Sequence, residues 1–176
     1  MKLITRLLLV ALFSACLQAV PQSAFAQRDA GAKARGDSSP FWSSKSAGRS
    51  VQHARDYSVG AHQYIQSAPK PSTQFLRADA VEVGRNIEAA KAEVVYLKKN
   101  TASDKEVAAA VASIEKHLEA AHGEHHKFHT ECAKDSLDAK VTMACCTALT
   151  EHLTKAHDEL EALQKKLAPK TAAPKN

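Results

Sequence analysis

Aromatic side chains are scarce, at 5% of the chain, with one tryptophan and two methionines. β-Sandwiches draw on aromatic and β-branched residues. Their scarcity beside abundant alanine points to helices packed closely on small side chains. No Cys-x-x-Cys pair occurs, which excludes zinc-finger spacing, and the lack of Cys-x-x-Cys-His excludes covalent haem. Neither sign of charge dominates. The 24 Lys and Arg are mixed with 19 Asp and Glu, and no basic run alternates with aromatics, so a nucleic-acid partner is not expected. Past the N-terminus no stretch approaches the roughly 18 apolar residues of a membrane span.

At 176 residues the chain is expected to form one domain. Lys2 and Arg6 precede an apolar run from Leu7 to Val20 that Pro21 breaks, and Ala24-Phe25-Ala26 has the small-x-small form of a cleavage site. Residues 1–26 are expected to be a signal peptide cut after Ala26. The alternative is a lipoprotein anchored at Cys16. Cleavage removes two basic residues and no acids, taking the net charge from +5 to +3. The expected location is periplasmic or secreted. Three cysteines remain, and an odd count leaves at least one thiol outside any intramolecular disulfide.

Residues 27–46, rich in Gly, Ser, Ala, Arg and Lys, read as a flexible linker, interrupted by Phe41 and Trp42, which tuck against the domain or start its first helix. Residues 47–168 carry four helical patterns. The first covers about 47–66, with Val51, Ala54, Ser58, Ala61 and Ile65 at helical spacing, and is the shortest. Ser67 to Ser72, with two prolines, breaks it. The second, about 73–99, has an apolar seam of Leu76, Ala80, Val83, Ile87, Ala90, Val94 and Leu97. Ser103 with Glu106 reads as a capping box opening the third. That helix's seam runs Val107, Val111, Ile114, Leu118, Ala121, His125, Phe128, Cys132. The fourth runs Val141, Cys145, Leu149, His152, Ala156, Leu160, Leu163, Leu167. Residues 169–176 read as a disordered tail. The fold expected is all-α, an antiparallel up-down-up-down four-helix bundle.

The chemistry concentrates between Ile114 and His157, which hold seven of the nine histidines and three of the four cysteines. His125 and Cys132 take inward positions where leucine or valine ordinarily sits, and so do Cys145 and His152. His125, His129 and Cys132 share one helix face, and His122, His126 and His129 an adjoining one. Imidazole and thiolate are ligands for zinc and copper. Counting from the turns places His62, Asp79, His125, His129 and Cys145 in a layer on the order of 8 Å thick. The candidate metal ligands are His122, His125, His129, Cys132, Cys145, Cys146, His152 and His62, with Asp79 as a substitute. Gly123, mid-helix, reads as room for a close helix or a ligand.

Plainer readings apply residue by residue. His117, His126 and His157 read as solvated, and His53 and His62 as core-edge residues. The cysteines read as core packing, or as a disulfide from Cys132 to Cys145 or Cys146, although the heights disfavour that bridge. A di-iron site needs two Glu-x-x-His motifs, and only Glu119-Ala120-Ala121-His122 occurs. Haem held without a covalent link would need His125 with His152 or Met143. A Cys-His hydrolase would lack a cleft and oxyanion donors. The expected function is therefore non-catalytic: binding of copper or zinc for buffering, sequestration or sensing. The alternative is a structural or protein-interaction bundle, possible as a homo-oligomer.

Overall fold

A computed structural model describes residues 39–169. The expected signal peptide, Cys16, linker residues 27–38 and tail residues 170–176 lie outside the described residues. Within them the chain forms four helices and no strand: α1 (Pro40–Ser67), α2 (Thr73–Asn100), α3 (Lys105–Ala133) and α4 (Ala139–Leu167). None is long and apolar enough to cross a membrane.

Each helix packs against two others. α1 touches α2 and α4, and α3 touches α2 and α4. Polar contacts step in opposite directions along packed helices. Lys98 meets Glu115 at 2.7 Å, Lys91 meets Glu119 at 3.0 Å, and Glu88 meets His122 at 3.2 Å. Nearest the start of α2, Arg77 reaches the end of α3. Its Nε donates to the Cys132 carbonyl at 2.6 Å and its Nη2 to that of Ala133 at 3.0 Å. A guanidinium there satisfies carbonyls left open by the helix end and complements its dipole.

The helix starts follow local chemistry. Ser72 Oγ accepts from Phe75 N, Asp104 from Glu106 N and Val107 N, and Asp138 from Val141 N. Asp104 therefore caps α3, where the Ser103 capping box was expected. α1 begins at Pro40 rather than near Ala47, with proline at a first-turn position that needs no N–H donor. At 28 residues it matches α2 in length, which corrects the expectation of a short first helix.

The buried faces of α2 and α3 are the expected seams, residue for residue. α4 differs. Thr142 is fully buried where Val141 was expected, and Val141 is 42% exposed. Leu153 is buried in place of His152, which is half-buried. The Thr142 hydroxyl can go inside because it donates to the Asp138 carbonyl at 2.7 Å. A larger apolar cluster fills most of the interior. A smaller one gathers Ala61, Ile65, Leu76, Ala80 and Phe128 with the three cysteines.

Candidate functional site

His125 is held by two features of α2. Its Nε2 lies 2.8 Å from the carbonyl oxygen of Ala80. A carbonyl only accepts, so Nε2 carries the proton and Nδ1 keeps its lone pair in the neutral ring. The ring fits because residue 84 is glycine: a Cβ there would lie 2.7 Å from His125 Cε1 and 2.8 Å from Nε2. Nδ1 is buried and has no hydrogen-bond partner.

Three more imidazoles surround this one. Ring centroids lie 6.2 Å from His125 to His122, 5.7 Å to His126 and 6.1 Å to His129, and 4.4 Å from His122 to His126. His122 Nε2 is 3.2 Å from Glu88 Oε1, while His126 and His129 are exposed. Burial first, and the neighbouring imidazoles after it, hold His125 below its ordinary pKa, outweighing the opposing effect of the Ala80 hydrogen bond.

The cysteines form a second group. Cys132, Cys145 and Cys146 are buried free thiols, and none forms the disulfide considered from the sequence. Burial pushes Cys132 and Cys146 up to about 12, and each feels the charge of Cys145 and Asp79. Cys145 is raised by burial as well. Cys146 sits under Ser58, whose hydroxyl donates to the Cys146 carbonyl at 3.0 Å and accepts from Thr150 Oγ1 at 3.1 Å.

No family model, curated protein or solved structure matches this chain. The side chains alone must carry the functional reading.

The candidate ligands divide. His122, His125 and His129 come together, and His126, read as a solvated neighbour, joins them. His152 lies elsewhere, its ring 6.1 Å from that of His117 on the α3–α4 side. His117 is half-buried and 3.7 Å from Glu159, and His157 is half-buried too, which corrects the reading of both as solvated. His62 is half-buried on α1, and no ring contact joins it to the α3 imidazoles. Gly123 makes no room for a neighbour, since a Cβ there would meet nothing within 4 Å; Gly84 does that work. Sequence periodicity had no reason to single out Gly84, which lies beside the α2 seam.

Among the described residues no three His, Cys, Asp or Glu side chains are arranged as a ready-made ion site. Distances say why. Two imidazoles on one tetrahedral ion, with metal–nitrogen bonds near 2.0–2.1 Å, have centroids about 5 Å apart. The ring contacts of His125, at 6.2, 5.7 and 6.1 Å, are longer.

Proposed function

We propose that this chain is an exported, non-catalytic helical bundle, its helices antiparallel in up-down-up-down order, that binds a transition-metal ion, zinc or copper, through the α3 imidazoles. The observation that carries this reading is the state of His125. Metal-binding histidines typically donate the other ring N–H to a carbonyl or carboxylate, which fixes the tautomer and aims the free nitrogen. His125 has that arrangement toward Ala80, and its free Nδ1 is buried without a partner. His122 and His129 are the ligands proposed beside it, with His126 able to replace either. The thiols are a second, conditional store, because a thiol held near 12 must release its proton before it binds an ion. His62 and His152 are not part of this proposal.

Native mass spectrometry of the chain lacking residues 1–26, with added Zn(II) and separately with Cu(I) under reducing conditions, tests the reading. One ion per chain is expected, with at least about tenfold weaker uptake in His125→Ala. Equal stoichiometry and affinity in that variant, with helical circular dichroism retained, overturns it.

The interaction-bundle reading draws on Trp42, Val81 and Val95, apolar side chains more than half exposed. A concentration-dependent dimer in the same spectra, with no bound ion, favours it.

A further inference from the structure

A groove of about 540 Å³ opens between α1 and α2, with no α3 residue in its lining. Its walls are aromatic. Tyr64 and Phe75 lie with ring centroids 4.8 Å apart, and Tyr57 lines the groove with them. Tyr64 is fixed in place because its hydroxyl accepts from Ser72 N at 3.0 Å. At Gly60 the groove is open, since an added Cβ would meet nothing within 4 Å.

Two carboxylates border the same space, Asp56 and Asp79. Asp56 has a weak counter-charge, with Arg55 Nε 3.9 Å away. Asp79 is half-buried, and among the described residues no Lys, Arg or His pairs with it. Burial raises its carboxyl pKa above the usual range. His53, at the exposed margin, is the basic residue of the lining.

Aromatic faces attract a cation within about 6 Å of the ring centre, and a carboxylate supplies its counter-charge. An anion would be repelled by Asp56 and Asp79. A neutral apolar molecule would leave the Asp79 carboxylate further desolvated and still unpaired. We infer that this groove binds a small organic cation, an ammonium group carried on a compact apolar body. The aromatic walls take the body and Asp79 takes the charge. The volume lies in the range of small-molecule sites. This inference does not rest on the proposed metal ligands, because no α3 histidine lines the groove.

The test is a titration of the same chain with benzyltrimethylammonium, followed by backbone amide shifts, with benzyl alcohol as the uncharged comparison. Saturable shifts are expected at residues 53–64 and 75–79, with benzyl alcohol bound about tenfold more weakly or worse. Asp79→Asn should weaken binding of the cation by about tenfold, and Gly60→Leu should block the groove, both with helical circular dichroism unchanged. Should Asp79→Asn fail to fold, Phe75→Ala replaces it, since Phe75 is half exposed and its loss removes an aromatic wall. Shifts that do not saturate overturn the inference. So does equal affinity for benzyl alcohol, or unchanged affinity in the folded Asp79 or Phe75 variant.

Discussion

The ring of His125 occupies the space that a methyl group on Gly84 would need, with the ideal Cβ position 2.7 Å from Cε1. The two residues should therefore be strongly coupled. In the native chain Gly84→Ala forces a buried ring away from its hydrogen bond to Ala80, at a cost of about 1–3 kcal/mol. In a His125→Ala background the clash is gone, and the same substitution should stabilise α2 by up to about 1 kcal/mol through helix propensity. Urea unfolding of the four proteins in this cycle measures the coupling. Additive effects within about 0.5 kcal/mol would contradict the close approach.

Protonation of His125 should also be coupled to folding. Its ordinary value is near 6.5, and burial lowers it in the folded chain. Between the lowered folded value and 6.5 the unfolded chain binds more protons, so stability rises with pH across that window. The contribution is fully present above 6.5, is lost as pH falls toward the folded value, and is constant below it. His125→Gln cannot titrate there yet keeps an amide donor for Ala80. The urea midpoint should fall less in this variant than in the native chain between pH 7.5 and 5. Equal falls would mean that His125 takes up its proton as readily folded as unfolded.

The seams of α2 and α3 were legible in the sequence because large apolar residues recur there without a polar competitor. α1 and α4 were less legible, for one shared reason: polar side chains go inside when a backbone group satisfies them. Ser44 donates to the Phe41 carbonyl at 2.7 Å, and the Ser44 carbonyl accepts from Gln164 at 3.2 Å, so a stretch with linker-like composition forms the first turns of a helix. Thr142 is buried in the same way. At 152 and 153 two residues competed for one inward position. The apolar Leu153 took it, and the metal seam traced through His152 went with it. The gathering of imidazoles around His125 was legible from spacing. Gly84 and the Ala80 carbonyl, which define the ring's state, were not, because they belong to another helix.

A hydroxyl chain links α1 to α4. Thr150 donates to Ser58, and Ser58 donates to the Cys146 carbonyl. Ser58→Ala should cost about 1 kcal/mol, the usual net worth of such a bond. Ser58→Val adds volume between closely packed helices and should cost more, about 1–3 kcal/mol. Thermal unfolding of both variants checks the order. A valine variant at least as stable as the alanine one would show that this contact has slack.

Gly123 offers the opposite case. It sits within α3 with open space where a Cβ would go. Gly123→Ala should stabilise the chain by up to about 1 kcal/mol, by removing backbone freedom from the unfolded state and improving helix propensity. It should leave metal uptake unchanged. Loss of stability would mean that the glycine is needed for a neighbour after all.

The thiols make a prediction about reactivity. Only the thiolate attacks a disulfide reagent, and Cys132 and Cys146 are held near 12 against an ordinary 9.0. At pH 8 that shift lowers the thiolate fraction about a thousandfold. Both side chains are also fully buried, whereas Cys145 is 6% exposed. Under native conditions Cys145 should react first with Ellman's reagent, and Cys132 and Cys146 only as fast as the bundle opens. Adding urea below the unfolding midpoint should accelerate the slow pair more than Cys145, because opening exposes two fully buried thiols whereas Cys145 already keeps a small exposed area. Three equal, fast rates in the folded chain would place these side chains in water, and would remove the thiols from the interior between α3 and α4.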